Sequence, residues 1–193
     1  METEDRFEIR LAGEGGQGLI LAGLILAEAA AVYDGKNAVQ TQSYGPEARG
    51  GASKSEVVIS SGPIDYPKVI QADLLLCMGQ QACDKYVYDL KKDGILIVDS
   101  IYVDRAPTSR AVRVPITRIA EEATGRRITA NIVSLGLIVG LTGVVSRTAI
   151  ESAVKARAPK GTEALNLTAL QAGFEQADAL RAGTANGAIE RSQ

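Results

Sequence analysis

The chain has 193 residues, 46% of them hydrophobic, which suits a single globular domain with a sizeable core. Its 21 basic and 23 acidic residues give a net charge of -2, so nothing points to nucleic acid or an anionic membrane as a partner. Histidine is absent, which excludes histidine-based nucleophilic and metal sites.

The N-terminal part of the chain predicts a strand, a helix and a second strand. Residues 7–11 alternate between polar and apolar and lead into Gly13, a pattern typical of a strand that enters a turn. Residues 17–33 predict a largely buried helix that stops at Asp34 and Gly35, and residues 36–42 predict the second strand. Such a unit is typical of a parallel sheet with a right-handed crossover.

The middle of the chain continues to alternate between the two kinds of element. Strands are predicted over residues 54–60, 73–78, 95–99 and 111–114, and helices over 81–92 and 116–123. The sequence does not determine whether the strand over residues 54–60 runs parallel or antiparallel to its neighbours. Asp93 and Gly94 predict a turn, and Gly125 the end of the second helix.

The last third is predicted to be helical. Helices are expected over residues 131–141, 148–158 and 163–180, the second of them capped by Thr148 and Glu151. We therefore predict a single three-layer α/β/α domain over residues 1–181, with a mostly parallel sheet, a Rossmann-like first βαβ unit and a helical C-terminal third. Residues 182–193 are small and polar and predict a flexible tail.

The two cysteines and the apolar segments indicate the compartment. Cys77 and Cys83 are too few for a zinc or iron-sulfur site built by this chain alone, and we expect two buried reduced thiols. Residues 1–10 carry both charge signs and lack the apolar segment of a secretory signal. Residues 132–145 are interrupted by small and polar residues and fall short of the roughly 20 residues that cross a bilayer. We predict a cytoplasmic protein.

A glycine-rich turn, Gly13-Glu14-Gly15-Gly16-Gln17-Gly18, follows the first predicted strand. Its spacing matches the dinucleotide fingerprint, and the following helix would present backbone N–H groups to a phosphate or carboxylate. The second strand, however, ends without the acidic residue that would hold a ribose. We therefore favour an anion or partner contact over a nicotinamide or flavin site, and a purely structural turn stays open.

A second glycine-rich loop, Ser43-Tyr44-Gly45-Pro46-Glu47-Ala48-Arg49-Gly50-Gly51, follows the second strand. Its Arg49 has the planar group that binds carboxylate or phosphate, although a surface pair of Glu47 with Arg49 is the alternative. Both loops are expected at the carboxyl edge of the sheet.

Two further pairs have simpler interpretations. Arg126 and Arg127 can bind an anion, but a solvated basic pair is favoured. Gly136 and Gly140, four residues apart, predict close packing between helices.

These two loops, followed by Ser55-Glu56-Val57, resemble the gamma subunit of 2-oxoacid:ferredoxin oxidoreductases. The resemblance includes residues 64–67, the strand start at Ala72 and Asp73, and Asn131, and it spans residues 7–175. The resemblance covers both the 2-oxoglutarate and the pyruvate enzymes. The length of the chain is closer to that of the 2-oxoglutarate-type gamma subunit than to that of the small subunit of the related indolepyruvate enzyme.

The resemblance implies a multisubunit enzyme that decarboxylates a 2-oxoacid on thiamine diphosphate and releases an acyl-coenzyme A. Electrons would pass through iron-sulfur clusters to ferredoxin. Thiamine diphosphate, Mg and the clusters would belong to alpha, beta and ferredoxin-like subunits. This chain is expected to bind no cofactor by itself and to be inactive alone, since it lacks a Gly-Asp-Gly cofactor motif and has only two cysteines.

The resemblance also implies that this chain docks on the thiamine-bearing subunits and helps to enclose coenzyme A. The residues carried over are those of the two loops: Gly13, Gly15, Gly16, Gln17 and Gly18, and Ser43, Tyr44, Gly45, Glu47, Arg49 and Gly50. Three alternatives stay open: a stand-alone dinucleotide-binding oxidoreductase, the small subunit of an indolepyruvate ferredoxin oxidoreductase, and a purely structural assembly subunit.

Overall fold

The computed structural model describes residues 6–43, 52–107 and 110–190. Six strands form one sheet: β1 (Phe7–Glu14), β2 (Asn37–Ser43), β3 (Ala52–Ser60), β4 (Ala72–Cys77), β5 (Leu90–Asp99) and β6 (Val112–Val114). The α-helices are α1 (Leu19–Glu28), α2 (Gln80–Tyr86), α3 (Ile116–Thr124), α4 (Ala130–Thr142), α5 (Arg147–Arg157) and α6 (Glu163–Glu190). A π-helical turn, Ala29–Tyr33, continues α1, and a 3-10 turn, Arg127–Thr129, precedes α4.

The sheet has the strand order β2-β3-β1-β4-β5-β6. β1, β4, β5 and β6 pair in parallel, whereas β3 is antiparallel to both β1 and β2. Every strand except β3 therefore points the same way, and the predicted α/β fold with a mostly parallel sheet is confirmed. The predicted strand-helix-strand unit is present, but β3 lies between its two strands, so β1 and β2 are not neighbours.

The sheet is covered on both faces because its strands are apolar on both. Ile9 and Leu11 point to the face on which α1 and α4 pack, and Leu75 and Cys77 point to the opposite face under α2. This alternation along each strand produces the three layers. α4 lies at the centre of the helical part, with residues 130–140 all buried.

Glycines let α4 and α6 approach each other closely. A Cβ on Gly136 would overlap the carbonyl oxygen of Leu170, and one on Gly173 would overlap that of Val133. A Cβ on Gly140 would lie 2.5 Å from the Cβ of Ala177. The predicted packing role of Gly136 and Gly140 is confirmed.

The predicted helix over residues 81–92 was too long. α2 ends at Tyr86, a 3-10 turn covers Val87–Asp89, and β5 begins at Leu90. The predicted turn at Asp93 and Gly94 lies inside β5, where the pairing with β4 shifts register. The reason is that Leu90 packs onto the core, so the strand starts early and absorbs the extra residues as an irregularity.

Two helix ends also differ from the prediction. Ser146, not Thr148, caps α5: its Oγ accepts a hydrogen bond from the N–H of Ala149 at 3.1 Å. α6 continues to Glu190 instead of ending near residue 180. The domain limit at residue 181 and the flexible tail stay predictions.

Among the described helices, none is long and apolar enough to cross a membrane.

Candidate functional site

The candidate site lies where the parallel strands β1 and β4 end side by side. The chain leaves β1 through α1 toward β2, and it leaves β4 through α2 toward β5, on the other side of the pair. α1 and α2 pack on opposite faces of the sheet. The two connections diverge at this point, and such a divergence creates the crevice in which open α/β sheets bind ligands.

The first glycine turn, residues 13–18, forms one wall of this crevice. The side-chain oxygen of Gln17 accepts a hydrogen bond from the N–H of Glu14 at 2.8 Å, and its amide nitrogen donates to the carbonyl oxygen of Met78 at 2.9 Å. A side chain on Gly13 would overlap that Gln17 oxygen. Gln17 thus ties the end of β1 to the end of β4, and the tie requires glycine at residue 13.

A second contact fixes the turn to the helical part of the chain. Gly18 precedes α1 in a left-handed conformation with φ of 73°, and its carbonyl oxygen accepts a hydrogen bond from Asn131 Nδ2 at 3.1 Å. A Cβ on Gly18 would lie 2.5 Å from that same nitrogen. Asn131 was not among the predicted site residues, although an amide at the start of an otherwise apolar helix was a signal.

The remaining glycines of the turn are open to solvent. A Cβ on Gly15 or Gly16 would meet no described atom within 4 Å. No described side chain caps the N-terminus of α1, where unpaired N–H groups carry the positive end of the helix dipole. The turn therefore offers accessible backbone donors to a phosphate or a carboxylate.

A pocket of about 180 Å³ adjoins the turn. It is lined by Gly16, Gln17, Met78, Tyr102, Thr117, Arg127, Ile128 and Ala130. Glu121 accepts a hydrogen bond from Arg127 Nε at 2.9 Å and raises the pKa of the guanidinium, which is cationic in any case. Arg126 and Arg127 are both exposed, as the favoured solvated pair predicts, and Arg127 also lines the pocket.

The far wall of the pocket is held by a buried carboxylate. Asp99, at the end of β5, is fully buried and accepts hydrogen bonds from the N–H and the hydroxyl of Thr117, at 3.1 and 2.5 Å. It also accepts one from the N–H of Ile101 at 3.1 Å. These bonds join β5 to the start of α3, so Asp99 positions the wall without facing the pocket.

Most of the second predicted loop lies outside the described residues. This applies to Tyr44, Gly45, Glu47, Arg49 and Gly50. Ser43 is the last residue of β2, and β3 begins at Ala52, opposite Glu14 of the first turn. The described strand ends that flank the loop therefore lie at the same edge of the sheet as the first turn.

A buried ion cluster holds the strands behind this edge together. Arg10 of β1 pairs with Glu56 of β3 at 2.8 Å and with Asp89, after α2, at 2.7 Å. Lys54 pairs with Glu56 at 2.8 Å. Arg10 and Glu56 are nearly inaccessible, so removal of either would cost the other its buried partner and leave Arg10 with only Asp89, or Glu56 with only Lys54, as its ionic partner in the cluster.

Both cysteines are buried and unpaired, as predicted. Cys77 ends β4 and Cys83 lies in α2. A hydrogen bond between the thiols and their burial raise the pKa of Cys77, while the same bond lowers the pKa of Cys83. Cys77 therefore stays a protonated thiol, which is a poor metal ligand.

The pyruvate ferredoxin/flavodoxin oxidoreductase family matches residues 8–176. The chain belongs to this family. The match contains the first turn, all of β1 except Phe7, the whole of β4, and Asn131.

Individual relatives cover nearly the whole chain. The 2-oxoglutarate synthase subunit KorC of Methanocaldococcus jannaschii is 55% identical over 179 residues, covering 91% of this chain and 96% of that subunit. The crystal structure of a keto/oxoacid ferredoxin oxidoreductase gamma subunit from Geobacter sulfurreducens is 56% identical, with a TM-score of 0.82, and covers 90% of this chain and 97% of that one. The predicted resemblance to the gamma subunits is confirmed.

A more distant structure shares the fold. It is a 2-oxoglutarate:ferredoxin oxidoreductase from Magnetococcus marinus, solved with 2-oxoglutarate, coenzyme A and succinyl-CoA bound. Its identity is 24% and its TM-score 0.80, and the likeness covers 90% of this chain but 31% of that longer one. The same fold thus also occurs as part of a longer polypeptide.

Proposed function

We propose that this chain is the gamma subunit of a 2-oxoglutarate:ferredoxin oxidoreductase. The assembly converts 2-oxoglutarate and coenzyme A into an acyl-coenzyme A and CO2, and the electrons released by this oxidative decarboxylation reduce ferredoxin. The observation that carries the proposal is the 55% identity, over nearly the full length of both chains, to a 2-oxoglutarate synthase subunit.

In this proposal the redox chemistry belongs to companion chains. Alpha and beta subunits hold thiamine diphosphate and Mg, and a ferredoxin-like subunit holds the iron-sulfur clusters. Two properties of this chain support the division: it has no histidine, and its two thiols are buried in a hydrogen-bonded pair. It takes part in the enzyme as a subunit and is inactive alone.

The chain contributes the coenzyme A side of the active site and a docking edge for the thiamine-bearing subunits. Gly15 and Gly16 offer open backbone donors at the start of α1, and Arg127 supplies a fixed cation in the adjoining pocket. Phosphate groups suit both features. Arg49 of the second loop lies outside the described residues, and we propose that it supplies a second guanidinium to the same ligand.

Purification of the tagged chain from its native cell tests the proposal. We expect a thiamine-binding chain and an iron-sulfur chain to copurify in fixed proportion. The recovered complex should reduce ferredoxin only when both 2-oxoglutarate and coenzyme A are present, and the purified chain alone should not. A chain that is recovered without companions, or that binds NADH or FAD tightly and turns over a substrate by itself, would favour the stand-alone oxidoreductase.

A further inference from the structure

The two edges of the sheet differ in how they are protected from pairing with other strands. β6 has three residues, and its Arg113 donates a hydrogen bond to the carbonyl oxygen of Val103 at 2.7 Å. β2 has seven residues, with no charged residue and no proline among them. Among the described strands, none pairs with the outer edge of β2. Natural sheets protect an edge with charge, proline or short length, so a long uncharged edge indicates a pairing partner.

We propose that β2 pairs in antiparallel fashion with β2 of a second copy of this chain, about a two-fold axis at Gln40. The two six-stranded sheets then become one continuous sheet. This proposal goes beyond the proposed function and does not depend on it.

The sequence of β2 is compatible with pairing to itself. About this axis Gln40 lies opposite its own copy, Val39 opposite Thr41, and Ala38 opposite Gln42. No charge is brought opposite a like charge, and the β-branched pair of Val39 with Thr41 occurs twice. An isologous contact of this kind uses the same edge of both copies, so only the short β6 edges are left at the two ends of the joined sheet.

The position of α1 also fits this arrangement. α1 packs mainly on β3 and β2, near the edge of the sheet. Neighbouring strands lie about 4.8 Å apart, so a helix above the gap between β3 and β2 would lie roughly 10 Å from its copy across the two-fold axis. Packed helices lie about 8–10 Å apart, so the two copies of α1 would be close to contact distance. Leu21 and Leu24 of α1 are 38% and 37% exposed and supply apolar surface for such a contact.

Charged substitutions of Gln40, the residue at the two-fold axis, test the proposal. The measurement is sedimentation velocity of the full chain. The wild-type chain should be a dimer. Gln40→Lys and Gln40→Glu should each raise the dimer Kd, roughly two- to fivefold, because each places two like charges face to face. An equal mixture of the two variants should recover the dimer, since lysine then faces glutamate. Gln171→Lys, on the exposed side of α6, is the control for added charge and should change nothing.

Disulfide formation gives a second readout if residue 40 proves intolerant, since Gln40 is half-buried and donates to Ser55 Oγ at 2.9 Å. The double variant Ala38→Cys with Gln42→Cys should form a covalent dimer on mild oxidation, because these positions face each other. Ala38→Cys alone should not, since the two copies of residue 38 are then about 13 Å apart along the strands. A monomeric wild-type chain, a mixture that does not recover, or cross-linking by Ala38→Cys alone as readily as by the pair would overturn the proposal.

Discussion

At the scale of single residues, substitution of Gly15 tests whether coenzyme A or a companion subunit contacts the first turn. A Cβ at this position would meet no described atom within 4 Å, and its φ is not in the left-handed region. Gly15→Ala should therefore fold normally. In the assembled enzyme we expect it to raise the KM for coenzyme A several-fold at nearly unchanged kcat, because the methyl group would displace a ligand bound equally in the ground and transition states. Steady-state kinetics of the purified complex measures this.

Gly183→Ala is the matched control for Gly15→Ala. Gly183 lies in α6, and a Cβ there also meets nothing within 4 Å. Its kinetics should equal those of the wild type. An unchanged KM in the Gly15 variant would contradict a coenzyme A contact, and weaker assembly at unchanged KM would assign the turn to a subunit interface.

The residues that build the site differ in how visible they are in the sequence. Gly13, Gly15 and Gly18 follow a known spacing, so their place between a strand and a helix could be predicted. Asn131 and Arg127 could not be assigned in the same way, because each reaches the turn only through the folding of a distant helical segment.

At the scale of elements, the α4–α6 contact depends on glycines that no side chain can replace without moving a helix. Gly136→Ala places a methyl group on the Leu170 carbonyl oxygen. We expect the free energy of unfolding to fall by about 1–3 kcal/mol, as is usual for overpacked cores, even though alanine favours helix. Urea denaturation of the full chain measures it.

The control for this prediction is again Gly183→Ala. It makes the same substitution in α6 at an open position, where the higher helix propensity of alanine should leave stability unchanged or slightly raised. If the two variants unfold at the same urea concentration, close packing of the two backbones does not limit this interface.

Strand and helix identities were predictable, whereas pairing and boundaries were not. The pattern of residues 54–60 identified β3, but its insertion between β1 and β2 in the opposite direction is decided by which edges meet in three dimensions. Likewise, the polar stretch before Asp93 has helical composition, and only the packing of Leu90 onto the core draws it into β5. At both places tertiary contacts override the local conformational preference of the sequence.

At the scale of the whole molecule, the first turn is open at the carboxyl edge of the sheet in the isolated chain. Assembly should therefore slow hydrogen exchange of the amides of residues 15–18, because ligand or companion subunits cover them, while α4 is already buried and should exchange slowly in both states. The measurement is hydrogen exchange followed by mass spectrometry, which compares the exchange of residues 15–18 in the isolated chain with their exchange in the complex with coenzyme A. β3 already protects the amides of β2 that face it, so only protection of the outward-facing amides of β2 in the isolated chain would report pairing between copies and not assembly. Equal and rapid exchange of residues 15–18 in both samples would mean that nothing closes over the turn, and the docking role would have to be assigned to another surface.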